Sequence, residues 1–211
     1  MKMSRNIYLS AECVGLFVLL PALLWMGWIP LAPILVLLVA GFVIIAYLHR
    51  DRHFDMKWLL NWQEGRKALA PVMLRAAFAV AILGLSVAVF APERFVLFYK
   101  QAPLWWAMVM VLYPVLSVYP QEIVFRAFFF HRYRTLFTRL GSQVVASAAL
   151  FGFVHVVYGN WIAVALSFLG GLLFSTTYLR TRSLLLVSME HAILGNFIFT
   201  IGLGEYFARG A

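Results

Sequence analysis

Seven long apolar runs dominate the sequence, at roughly 8–28, 31–48, 68–91, 104–130, 142–158, 161–179 and 183–203. A helix needs about 20 apolar residues to cross the hydrocarbon of a bilayer, and each run reaches or approaches that length. Only 12% of the residues are charged and 64% are hydrophobic, which is too apolar for an ordinary soluble domain. The sequence therefore predicts an all-α, polytopic transmembrane helical bundle.

The number of spans depends on the run 104–130, which carries Pro114 and Pro120. Proline bends or breaks a helix, so the run is either one kinked helix, giving seven spans, or two helices, giving eight. Basic residues favour seven spans with a cytoplasmic N-terminus, because cytoplasmic loops carry an excess of lysine and arginine. Twelve of the 17 then lie on the cytoplasmic side and three outside, namely Arg94, Lys100 and Arg209.

The net charge of +9 lies in short segments between apolar runs, so we expect lipid rather than nucleic acid as its partner. The longest polar connection, 49–67, is either a short interfacial helix or an ordinary amphipathic loop. We divide the chain into N-terminal spans with this basic loop (1–103), a C-terminal core (104–203) and a short tail (204–211). A single cysteine and a compact size are typical of a bacterial plasma membrane protein.

Ionisable residues inside spans cost about 2.5–3.5 kcal/mol each to insert, so they need partners or a function. Glu122 and Arg126 are four residues apart and share a helix face. They form either a structural ion pair or a proton-transfer carboxylate with its orienting arginine. His155 and His191 lie in later spans, where each alone is more often a packing residue. Glu190 points away from His191 and suits pairing with an arginine.

Together these groups suit hydrolysis of an amide bond, since a carboxylate and an imidazole can activate water and a second imidazole can stabilise an oxyanion. Their depths are unequal. Glu122 and His191 lie about 12–14 Å from the inner ends of their spans, whereas His155 lies about 20 Å deep. Buried Glu, Arg and His would also suit a proton-coupled transporter, but the sequence has neither an inverted repeat nor paired broken helices.

The order Glu122 and Arg126, Phe151 with His155, then His191 resembles the CPBP family, also called the CAAX prenyl protease and bacteriocin-processing or Abi family. The resemblance covers about 104–203. It implies a metal-independent, glutamic-type intramembrane endopeptidase acting on membrane-embedded or lipidated peptides and proteins. On this resemblance Glu122 and His155 activate water, Arg126 positions Glu122, and His191 supports the oxyanion.

Two positions depart from the family pattern. Gln121 stands where a first glutamate is expected, and glutamine cannot take a proton from water. Either Glu122 is the base, or the chain is a catalytically silent relative that acts as a membrane binding or immunity protein. Asn196, the tentative oxyanion donor, follows His191 by five residues instead of four, and Gly195 occupies the expected place. Zinc held by one Glu and two His is a minor alternative.

Overall fold

A computed structural model describes residues 2–208, and the side chains from residue 4 onward. No β-strand occurs in this range, and each predicted apolar run is helical. Six helices are long and apolar enough to cross a membrane, and a seventh is shorter: α1 (Ser4–Trp25), α2 (Pro33–Arg50), α3 (Leu69–Phe90), α4 (Pro103–Arg132), α5 (Leu140–Tyr158), α6 (Trp161–Thr181) and α7 (Leu184–Thr200). The predicted all-α bundle is confirmed. Arg209 and the end of the predicted tail lie outside the described residues.

Helix α4 is one continuous helix, so residues 2–208 form seven apolar helices rather than eight. Two wide π-helical stretches interrupt its α-helical geometry, and a third lies in α1. Pro114 opens the first stretch in α4, where its missing N–H is absorbed without breaking the helix. In order, α1 consists of Lys2–Val14, the π-stretch Gly15–Leu19 and Leu20–Trp25, while α4 consists of Pro103–Tyr113, the π-stretch Pro114–Val118, Tyr119–Glu122, the π-stretch Ile123–Phe128 and Phe129–Arg132.

Short helical turns fill the connections. They are Met56–Leu60 and Trp62–Lys67 before α3, Pro92–Arg94 and Leu97–Gln101 after it, and Leu203–Phe207 after α7. Helix α5 consists of the α-helix Leu140–Val154 and a closing 3₁₀ turn, His155–Tyr158. The aromatic residues of the loop 49–67 differ in their burial. Phe54 is buried, Trp58 packs under the Arg182 guanidinium at 4.9 Å, and Trp62 is exposed. The loop thus contains two short helical turns, with one aromatic ring anchored in the core.

The second half of α4 forms the centre of the bundle, since every residue from Glu122 to Phe130 is buried. Helices α5 and α6 form the most extensive helix pair around it. A Cβ atom at Gly171 of α6 would lie 2.9 Å from the Cα atom of Ala148 in α5. Glycine is therefore required for the two backbones to approach this closely, as is common between helices in lipid.

Ion pairs tie the outer helices to this centre. Arg75 of α3 donates to Glu190 of α7, with an Nε–Oε1 distance of 3.1 Å, which confirms that Glu190 pairs with an arginine. Arg132 of α4 contacts Glu12 of α1 at 2.7 Å, and the Tyr133 hydroxyl donates to the same carboxylate. The partners of Glu12 lie about 120 residues away along the chain, so no local sequence pattern indicates this contact.

Candidate active site

Glu122 is completely buried in α4 and is held from two sides. Its Oε1 atom lies 2.7 Å from Nδ1 of His191, and its Oε2 atom lies 3.2 Å from Nε of Arg126. Because a carboxylate only accepts hydrogen bonds, Nδ1 of His191 carries the proton in this contact. The predicted pair of Glu122 and Arg126 is therefore present, with a histidine from α7 as a third member.

Arg126 is also completely buried, and its guanidinium lies among aromatic rings. Its Cζ atom is 4.6 Å from the ring centre of Phe151 and 5.6 Å from that of Phe174. Among the described residues, none of its three side-chain nitrogens has a partner with hydrogen-bond geometry. Electrostatic attraction to Glu122 and to the ring faces holds the cation instead. Arg126 thus compensates the negative charge of Glu122 from a position without contact to solvent.

His191 lies between the buried carboxylate of Glu122 and a cavity in the bundle. Its ring stacks on Phe174, with ring centres 4.4 Å apart and a 19° angle between the planes. Nε2 lies 3.2 Å from the hydroxyl of Tyr113 in α4. With the proton on Nδ1, Nε2 holds a lone pair and accepts from the tyrosine. The imidazole is therefore fixed by Glu122 on one side and Tyr113 on the other.

His155 lies apart from Glu122. It begins the last turn of α5, where Nδ1 donates to the backbone oxygen of Phe151 at 2.7 Å. Within residues 2–208, no hydrogen bond joins His155 to Glu122. The depth difference expected from the sequence explains this: His155 lies about 22 Å along α5 from Leu140, whereas Glu122 is about 15 Å from the end of α4. Glu122 instead meets His191, which lies at a similar depth.

Both histidines line one cavity of about 210 Å³ between α3, α4, α5, α6 and α7, which we call the histidine cavity. Tyr113, Phe151 and Phe174 also line it. Its wall is mainly apolar, with a few polar atoms provided by the histidines, Tyr113 and Ser167. A small apolar space with a few converging polar groups is the usual form of a binding or catalytic site.

The two tentative residues face elsewhere. Gln121 lines a second cavity of about 150 Å³, the glutamine cavity, between α1, α2, α4 and α5. Its Nε2 atom donates to the hydroxyl of Ser117 at 2.7 Å. Asn196 donates to the backbone oxygen of Met110 at 3.1 Å and does not line either cavity. His155 borders both cavities and is the link between them.

Within the described part of the chain, no three His, Cys, Asp or Glu side chains lie close enough to hold a metal ion. Glu122 and His191 are in contact, but His155 does not complete a set of three ligands with them. Peptide cleavage without a metal ion stays a prediction.

Tyr113 is the site residue that the sequence analysis missed. It is one of nine tyrosines in an aromatic-rich chain, and its position before Pro114 carries no catalytic pattern. Only the packing of α4 against α7 shows that its hydroxyl reaches His191.

The fold and the site define a polytopic membrane protein with a buried cluster of Glu, Arg and His beside a small cavity. Residues 100–204 match a family model described as type II CAAX prenyl endopeptidase Rce1-like. By this segment the protein belongs to that family of proteases, in agreement with the resemblance over 104–203. The searches of curated proteins and of solved structures gave no match to the chain.

Proposed function

We propose that this protein is an intramembrane endopeptidase that hydrolyses a peptide bond of a membrane-embedded or prenylated, CAAX-like protein or peptide. One observation carries the proposal: the buried carboxylate of Glu122 accepts from Nδ1 of His191, a ring that lines the histidine cavity. A carboxylate, an imidazole and a small cavity form the minimal arrangement for water activation. This arrangement lies inside the segment that matches the endopeptidase family.

The contacts favour a division of roles that differs from the one implied by the family resemblance. His191 takes the proton from water through Nε2, and Glu122 orients the ring and stabilises the imidazolium that forms. The hydroxide attacks the carbonyl carbon, and the carbon–nitrogen bond then breaks as the amine takes the proton from His191. The guanidinium of Arg126, with Nε 3.2 Å from Oε2 of Glu122, compensates the charge of the carboxylate. His155, across the same cavity, positions the substrate or the water.

Gln121 supports a second candidate function. It stands where the resemblance expects a glutamate, so the chain could be a silent relative that binds a membrane partner. The location of Gln121 in the structure nonetheless favours the peptidase, because this residue is not part of the Glu122–His191 contact. It faces the glutamine cavity, while the Glu122–His191 contact reaches the other cavity and involves no atom of residue 121.

The variant Glu122→Gln tests the two functions against each other. Glutamine can still accept from His191, but it lacks the charge that stabilises the imidazolium, so we expect kcat to fall by about 10²–10⁴-fold. The assay follows cleavage of an internally quenched peptide ending in a farnesylated cysteine and three further residues, with the protein in liposomes. Glu64→Gln is the matched control, because Glu64 is exposed and its carboxylate pairs with Lys67, which is also exposed.

The outcome separates the candidates. Loss of cleavage in Glu122→Gln, with Glu64→Gln unchanged and both variants folded, supports the peptidase. Equal cleavage by wild type and Glu122→Gln would refute it. The silent relative predicts no cleavage by wild type and an unchanged biological effect in Glu122→Gln.

A further inference from the structure

Gly195 in α7 leaves an opening that the ring of Tyr113 fills. A Cβ atom at position 195 would lie less than 3.0 Å from two ring carbons and the hydroxyl oxygen of Tyr113, closer than real Cβ atoms come to other atoms. The Tyr113 ring also packs edge-on against Phe199, with ring centres 5.2 Å apart. The absence of a side chain at 195 is therefore what allows the phenol to enter the site from α4.

The hydroxyl of Tyr113 has two neighbours that matter for chemistry. It donates to Nε2 of His191 at 3.2 Å, which is long for a bond from a hydroxyl. It also lies at the wall of the histidine cavity, beside the place where a substrate carbonyl would meet water. A long bond to the base is easily exchanged when water takes Nε2, and the hydroxyl is then free to donate to another oxygen.

The site otherwise has few donors for a developing oxyanion. The guanidinium of Arg126 is behind Glu122 and fully buried, and Asn196 donates to Met110 in α4. Nδ1 of His155 is occupied by the backbone oxygen of Phe151. Among the polar groups that line the histidine cavity, the Tyr113 hydroxyl is hydrogen-bonded to Nε2 of His191, the atom that acts as the base.

We propose that Tyr113 is a catalytic residue, whose hydroxyl donates a hydrogen bond to the oxyanion of the tetrahedral intermediate. This inference rests on the proposed endopeptidase function. In the step, water loses a proton to Nε2 of His191 and its oxygen bonds to the carbonyl carbon. The carbonyl oxygen gains the negative charge and accepts from the Tyr113 hydroxyl, which keeps its own proton throughout. Collapse of the intermediate releases the amine and frees the hydroxyl.

Tyr113→Phe tests this assignment with the same farnesylated, quenched peptide. Loss of one oxyanion donor typically lowers kcat by about 10²–10³-fold, and we expect a loss of that size with KM changed by less than about threefold. Gly195→Ala, which displaces the phenol, should give a similar loss. Tyr119→Phe is the matched control: it lies in the same helix, and its hydroxyl donates to the backbone oxygen of Leu59, away from the site.

The dependence of kcat on pH separates a catalytic tyrosine from one that only positions His191. An oxyanion donor lowers kcat by the same factor at every pH. A tyrosine that acts through His191 would shift the acid limb of the profile, and activity would recover at higher pH, which would overturn the assignment. Wild-type rates in Tyr113→Phe, with Glu122→Gln inactive, would refute Tyr113 alone. Wild-type rates in Glu122→Gln would refute the proposed function itself.

Discussion

The buried pair of Arg75 and Glu190 should be one of the main stabilising contacts between α3 and α7. Glu190 is completely buried, and its two oxygens accept from Arg75 and from the hydroxyl of Thr177. Replacing Arg75 by methionine keeps the apolar stem but leaves the carboxylate without its cation. Because Glu190 immediately precedes His191, the same contact fixes the part of α7 that carries the site.

The expected loss follows from burial. Removing one partner of a buried pair costs about 3–5 kcal/mol, and since the Arg75 side chain is 30% exposed, the lower value of about 3 kcal/mol applies. For a chain of this size, each kcal/mol lowers Tm by about 2–4 °C, so Arg75→Met should lower Tm by about 6–12 °C. The double variant Arg75→Met with Glu190→Gln removes the unpaired charge and should recover most of this loss.

The assay uses Cys13, the one cysteine of the chain, which is buried in α1. A thiol-reactive fluorophore labels it only as the protein unfolds in detergent, so the labelling midpoint reports Tm. Arg66→Met, at an exposed arginine of the short helix Trp62–Lys67, is the control and should leave Tm unchanged. A fall below about 2 °C in Arg75→Met, or a double variant no more stable than the single one, would refute the reasoning.

Three further outcomes are expected. Gly171→Ala should destabilise the protein by about 1–3 kcal/mol and lower Tm, because the new Cβ meets the backbone of Ala148. The control Gly141→Ala, which has open space around the new Cβ, should not lower Tm. Equal Tm values for the two variants would contradict this packing. Hydrogen bonds from His131 and from the backbone of His53 hold the pKa of Asp51 well below its usual range, so its stabilisation is complete above about pH 5 and is lost progressively as pH falls below that value. Asp51→Asn should therefore lower Tm near neutral pH and flatten its fall in acid, as thermal scans across pH would show. Incubation with EDTA or dipicolinate should leave peptide cleavage unchanged, and activity restored only by added zinc would contradict this expectation.

The sequence was sufficient to predict the apolar helices, and three of its four candidate catalytic residues, Glu122, Arg126 and His191, are in contact. Long apolar runs leave little choice but helices in lipid, and charged groups inside them must find one another. It also predicted that Glu122 and His191 share a depth that His155 does not, which is why the carboxylate meets the histidine of α7 rather than that of α5. Depth along a helix follows from counting residues, so it is readable in the sequence.

The direction in which each side chain points around the helix axis could not be read from the sequence. The contacts that the sequence did not predict depend on this direction. Each π-helical stretch in α4 turns the residues that follow it away from the face that an ideal helix would give them. Tyr113 precedes both stretches and Arg126 lies within the second, so their relation to α7 could not be inferred from spacing. The contact between Glu12 and Arg132 was hidden for another reason, since a pairing across about 120 residues leaves no local pattern.

The wide turns of α4 also have a consequence for how this chain can change over generations. A π-stretch is a one-residue insertion that a helix accommodates without expelling a loop. Loss of a single codon between Ile123 and Phe128 would restore regular α-helical geometry and leave the residues beyond it on their present faces, because the wide turn absorbs the additional residue. Arg132 would then still face Glu12 of α1. A deletion in the regular part of α4 would instead rotate everything beyond it by about 100° and break that contact.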